Sequence, residues 1–321
     1  MKINPILKKE MVGMSRTIKL PVSIFIIDSL VAMYTTYLIY YVSSNFYYST
    51  SLEEYASYII ELGKVYRISI YAFYALGALA VALYASIAIS QEREKQTYEM
   101  LITTSYNPVR IITGKLGAAN LVAFAILISI LPIIITMFMF FPIKIIDIFN
   151  VVLLMIVIGV YLGSVVIFVT AKSKNSKSTV VISVLCVVAL VAGSIILWRL
   201  GYFIKDNIVN YGYYNDRPGA DYHKIRMKYV QYLNLFNPAI SVYAFANKIT
   251  GNYLEFESFI ENIDIVNNFI VKHWCSVSCA CQMIVSGLFV FLASKRIEPL
   301  KKTRKYIKYL NKIQDNHELP D

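Results

Sequence analysis

The sequence predicts an all-α membrane protein that crosses the bilayer six times, and three observations predict it. Of 321 residues, 57% are hydrophobic and 16% charged, against roughly 45–50% and ~25% in an average soluble domain. The apolar surplus is gathered into six runs, each of about the 20 residues that a helix needs to cross a bilayer. Between the runs, basic residues cluster on alternate connections, as short loops on the inner side of a membrane do. A soluble fold with these runs as core helices would need a large polar shell that the composition does not supply. In hydrocarbon, helices pair every backbone amide within their own segment, so helices are the expected form.

The elements follow in order. Asn4–Lys19 (NPILKKEMVGMSRTIK) mixes apolar residues with Lys8, Lys9, Arg16 and Lys19, and no small-residue cleavage pattern follows a short apolar core. It reads as an amphipathic interface helix rather than a removed signal. The spans are expected at Leu20–Val42, Ile68–Ser90, Gly117–Phe141, Val151–Thr170, Thr179–Leu200 and Trp274–Ser294. Ser43–Arg67, with Tyr47, Tyr48, Tyr55 and Tyr58, can continue helically, and Pro142–Asn150 is a short connection. Gly201–His273 is the largest one and is rich in tyrosine; within it Tyr229–Asn247 is moderately apolar and broken at Asn237-Pro238. A full span there would put the Lys-rich tail on the outer side, against the charge rule. Short helices dipping into the outer leaflet are expected instead. The chain thus reads as one transmembrane domain: interface helix 1–19, spans one to five over 20–200, a helical extracellular segment 201–273, span six 274–294 and a basic tail 295–321.

The net charge of +11 reports topology. With both termini cytoplasmic in a multi-pass protein of the cell membrane, segments 1–19, 91–116, 171–178 and 295–321 carry 20 Lys/Arg, whereas the outer segments carry 10 against 11 acids. This distribution favours anionic lipid as the partner of the basic residues and argues against nucleic acid. The tail illustrates it: eight Lys/Arg from Lys295 to Lys312 accompany a helical apolar stripe of Tyr306, Ile307, Leu310 and Ile313, a pattern that suits the inner leaflet.

Enzymatic chemistry finds no support. There are three histidines (His223, His273, His317), no His-Glu-x-x-His and no Gly-x-Ser-x-Gly. The spans contain one acid, Asp28, where an intramembrane aspartyl protease needs two facing carboxylates. Gly63-Lys64 and Gly114-Lys115 lack the preceding glycine and following hydroxyl of a phosphate-binding loop. Cys186, Cys275, Cys279 and Cys281 have no metal or redox spacing and read as small apolar filler. No catalytic, cofactor or metal site is expected in the chain.

The informative stretch is Gln91–Lys115, QEREKQTYEMLITTSYNPVRIITGK. Glu92, Arg93, Glu94 and Lys95 stop the second span. Tyr98, Leu101 and Ile102 recur at helical spacing, predicting a short helix with one apolar stripe, and Asn107-Pro108 restarts a helix with Asn as N-cap and Pro at its first position. This stretch resembles the coupling loop of export-type permeases of the ATP-binding cassette superfamily, type-two class. Glu92, Arg93, Glu94, Thr97, Glu99, Leu101, Thr104, Pro108, Gly114 and Lys115 stand in the family's register without a gap. The chain departs at Gln96, where the family often has glycine, and at Ser105, where it often has proline. Asn4–Glu10, Asn237-Pro238 and the exit Arg296–Pro299 resemble family landmarks too, so the resemblance covers nearly the whole chain.

The resemblance implies a transport subunit without its own ATPase site. Two six-span subunits, identical or paralogous, would face one another above two cytoplasmic ATPase subunits, which would hold the ATP and magnesium. ATP-driven closure would push on the coupling helix, opening a path for a peptide, lipid, drug or ion. Tyr98, Leu101 and Ile102 would seat in a groove while Glu92, Glu94 and Glu99 pair with basic residues around it. The competing reading is a membrane binding or immunity protein that sequesters a peptide or lipid without turnover; such a protein has no use for an acidic, groove-fitting helix. A carboxylate inside a span usually faces a bundle interior or water. Asp28, with Thr35 seven residues on and on the same helical face, is therefore the expected polar stripe of a translocation path.

Overall fold

The computed structural model describes residues 4–16, 18–45, 51–96, 108–137, 144–171, 173, 175–214, 232–251 and 269–297. Among them the chain is helical: α1 (Pro5–Ser15), α2 (Lys19–Asn45), α3 (Leu52–Glu94), α4 (Pro108–Met137), α5 (Ile145–Thr170), α6 (Ser176–Tyr214), a 3-10 turn at Tyr232–Phe236, α7 (Pro238–Ile249), α8 (Phe269–Lys272) and α9 (Trp274–Ile297). Six of these (α2, α3, α4, α5, α6 and α9) are long and apolar enough to cross a membrane. The described residues are thus all-helical, and their six long apolar helices fit a multi-pass membrane protein.

Several helices run past the apolar stretches that betray them in the sequence. α3 has 43 residues, about 64 Å at ~1.5 Å per residue, roughly twice the ~30 Å of a bilayer's hydrocarbon. Its surplus lies at the Leu52 end, which carries Glu53, Glu54 and a Glu61–Lys64 pair at 2.6 Å. Likewise α4 opens at Pro108, the helix start expected from Asn107-Pro108, nine residues ahead of its apolar run at Gly117, and α6 continues past Leu200 to Tyr214. Hydropathy marks the part of a helix that lies in hydrocarbon, whereas backbone pairing carries on as long as no breaker intervenes.

The core is built around α5, which packs on α9, α3 and α4. Its Ile158, Leu162, Val166 and Ile167 are buried among Val81, Ala85, Ile112, Leu127 and Ala293. Lipid tails are as apolar as leucine, so close packing rather than water exclusion holds spans together. Gly159 and Gly163 provide it. A Cβ at Gly159 would sit 2.2 Å from Asn120 Oδ1, and one at Gly163 2.5 Å from Leu116 Cδ1. By contrast α2 touches the body along one side only and turns Phe25, Leu30 and Met33 outward. All four cysteines are free, and Cys275 and Cys279 pack against the core.

The Asn237-Pro238 break closes the end of the bundle opposite α1. Asn237 caps α7, its Oδ1 accepting from Ala239 N at 2.9 Å while its Nδ2 donates to Val191 O and Ser194 Oγ of α6. Ser241, Ser278 and Gln282 join across α7 and α9: Ser278 Oγ donates to Leu235 O, lies 2.6 Å from Ser241 Oγ, and Gln282 Nε2 donates to Ser241 Oγ. Arg67 of α3 donates to Thr250 Oγ1 at the far end of α7. With 12 residues, α7 is about 18 Å long, too short to cross the bilayer.

Candidate coupling site

At the other end of the bundle, α1 lies across the start of α4. Asn4 caps α1, its Oδ1 accepting from Ile6 N, and its Nδ2 donates to Arg110 O of α4 at 2.8 Å. Ile6 and Leu7 then settle against Gly114 and Gly117. A Cβ on Gly114 would come within 3.1 Å of Ile6, and one on Gly117 within 3.3 Å of Leu7. Two glycines three apart on α4 thus make the groove that seats α1.

Lys115, beside Gly114, is the electrostatic centre of this junction. Its side chain is 1% exposed, and its Nζ lies 3.0 Å from Glu92 Oε1 of α3 and 3.2 Å from Glu10 Oε1 of α1. The same Nζ donates to Ala88 O of α3 at 2.5 Å. A buried ammonium is tolerated only when its charge and its N–H groups are both met, and here three acceptors from two further helices meet them. Lys9 approaches Glu92 at 3.9 Å, but it is 71% exposed, and such pairs contribute little. One lysine therefore ties α1, the end of α3 and the start of α4 together. The last two are the roots of segment 97–107.

Other groups gather at this end. Glu94 accepts a hydrogen bond from Ser176 Oγ at the start of α6. Arg296 of α9 donates to Phe168 O of α5 at 2.7 Å, and its guanidinium lies 3.6 Å from the centroid of the Phe168 ring. The ends of five of the six long helices on this side, all but α2, are linked to a neighbour or to α1.

Segment 97–107 leaves α3 through Gln96, whose φ is +58°. That left-handed conformation ends helices and suits glycine, because a Cβ is crowded there. Gln96 is also the position at which the chain departs from the glycine of the resembling permeases. Gln96→Gly is expected to stabilise the protein by about 0.5–1 kcal/mol, read as a higher midpoint of thermal unfolding in detergent. An unchanged or lower midpoint would show that this backbone turn carries no strain.

Of the residues expected from sequence to form the coupling element, Glu92, Glu94 and Pro108 stand at this junction, with Pro108 opening α4, and the backbone of Arg93 lies in the last turn of α3. Thr97, Tyr98, Glu99, Leu101, Ile102 and Thr104 lie outside the described residues, as does the tail beyond Ile297. Asp28 is half-buried and accepts from Ser129 Oγ of α4 at 3.0 Å, so it is turned to a neighbouring span of its own chain. Thr35 is 4% exposed and donates to Ala32 O of its own helix. What escapes a reading of the sequence is the pairing of Lys115 with Glu10 and Glu92 and the packing of Leu7 on Gly117. A lysine seven residues into α4, between glycines, is the one signal that could have drawn attention to them. Compared with known proteins, the chain matches no family model and no curated sequence.

Proposed function

We propose that the chain is the permease subunit of an ATP-driven exporter of the type-two class, coupling ATP hydrolysis on separate cytoplasmic ATPase subunits to movement of a substrate between two permease subunits. One observation supports this reading above the others: both roots of the loop that resembles a coupling loop are tied to α1 through the buried Lys115. A loop that merely joins two spans needs no such anchor. A loop that receives a push needs stiff roots, so that displacement passes into α3, α4 and α1 instead of being absorbed in the loop.

In this reading the Lys115 end is cytoplasmic, in keeping with the 20 Lys/Arg of segments 1–19, 91–116, 171–178 and 295–321. The apolar stripe of Tyr98, Leu101 and Ile102 seats in a groove of the ATPase, and acids flanking it set the register more than they add affinity. Asp28, held by Ser129 between α2 and α4, contributes polarity along the substrate's route.

The purified chain alone is expected to hydrolyse no ATP, and a co-expressed ATP-binding cassette ATPase is expected to co-purify with it and hydrolyse. ATP turnover by the chain alone would overturn the assignment of roles. Failure of any such ATPase to bind would return the chain to the competing reading of a membrane binding or immunity protein.

A further inference from the structure

A cavity of about 570 Å³ lies between α3, α5, α6 and α7, within the roughly 300–1,000 Å³ range of small-molecule sites. Ile158 and Leu162 of α5 form its back wall, and both are fully buried, at 2% and 1% exposure. Pro238 and Val242 of α7 close one end, where the rings of Tyr71 and Tyr243 stack with centroids 6.3 Å apart. Leu79 of α3, Val188 of α6 and Ala239 of α7 line the cavity and are themselves exposed, so it is open at the outer surface of the bundle.

Position and chemistry together say what fills it. Leu162 lies eight residues from the end of α5 at Thr170, and Tyr71 lies 21 from Glu92 on α3. At ~1.5 Å per residue the cavity spans depths of about 12 to 32 Å from the Lys115 end, which is the hydrocarbon zone of a bilayer. Every lining residue is Tyr, Ala, Leu, Ile, Val or Pro, and the hydroxyl of Tyr74 is already donated to Val151 O at 2.8 Å. Water needs two to four polar partners to stay in such a place, and a void forfeits dispersion contacts along its whole lining. A peptide or polar drug would need placed polar groups to orient it, and the lining offers no charge and no amide side chain. The remaining occupant is the medium at the mouth.

We infer that this cavity holds one aliphatic chain of a membrane lipid, which enters from the bilayer past the exposed Leu79 and Val188. The site is independent of the export reading, and its test needs no ATPase. The full chain is placed in vesicles doped with a phosphatidylcholine that carries a diazirine near the end of one acyl chain, irradiated, and the labelled residues are mapped by mass spectrometry. Label is expected on Ile158 and Leu162, which lipid around the protein cannot touch, and on outward Phe25 and Ile128, which it can. Ala78→Phe and Ala192→Phe, on two different walls, are each expected to lower the back-wall label at least fivefold while Phe25 and Ile128 label as before. Wild-type label confined to outward residues would overturn the inference, and would be the result if side chains of a second copy fill the cavity. Equal back-wall label in the wild type and both variants would overturn it too.

Discussion

Lys115→Met is expected to release α1 from the bundle and to lower the stability of the α3–α4 pair by several kcal/mol. The substitution keeps an unbranched apolar stem one atom shorter and removes the charge, so Glu92 and Glu10 lose the buried cation between them. Breaking a buried ion pair from one side costs about 3–5 kcal/mol. Glu10 is 29% exposed and recovers part of its hydration, which places the effect near the lower end of that range. The measurement is alkylation of a cysteine placed at Ile6, which is 6% exposed in the assembled bundle. It should react slowly in the parent and at least tenfold faster with Lys115→Met. Adding Glu92→Gln, which removes the stranded carboxylate, should recover part of the loss. Equal reactivity in parent and Lys115→Met would mean that Leu7 and the two glycines hold α1 without the buried charge.

Leu101→Asp is expected to abolish co-purification of the ATPase and its coupled turnover while leaving all six spans inserted. Removing a groove anchor at the centre of an interface costs about 2–5 kcal/mol, and ~1.4 kcal/mol is tenfold in affinity. The loss is therefore about 30-fold or more. Glu94→Lys should act in the same direction for two reasons, since it reverses a charge of the proposed interface and also removes the acceptor of Ser176 Oγ within the chain. Leu101→Asp is for that reason the cleaner probe. Full transport in both variants would show that segment 97–107 is not where the ATPase docks.

What the sequence reveals and what it hides follow from the range of the interactions involved. Six spans are legible because hydropathy is a local property, and so is the start of α4 at Asn107-Pro108; hydropathy alone does not mark where α3 begins, at Leu52, because charged residues continue a helix beyond the bilayer. The break at Asn237-Pro238 is legible because proline lacks an N–H and asparagine caps, and the structure adds what that cap holds, Val191 and Ser194. Lys115 stands in the sequence only as part of a Gly-Lys pair. Its meaning comes from Glu10, 105 residues away, and from Glu92 across a loop, and no spacing rule links residues so far apart. The lipid cavity is still less legible, since four separated segments build it from side chains that look like any other apolar filler. Gln96 lies between these cases. Its departure from glycine is visible in the sequence, and its positive φ shows why glycine suits the position.

The claim that segment 97–107 meets an ATPase is tested most directly by a photo-crosslinking amino acid in place of Tyr98, with the chain and an ATP-binding cassette ATPase expressed together in one membrane. A light-dependent product that joins the two proteins, mapped by mass spectrometry to the ATPase, is expected, and it should disappear when Leu101→Asp is added. Crosslinks to lipid or to a second copy of the chain alone, with the ATPase present and folded, would contradict that claim.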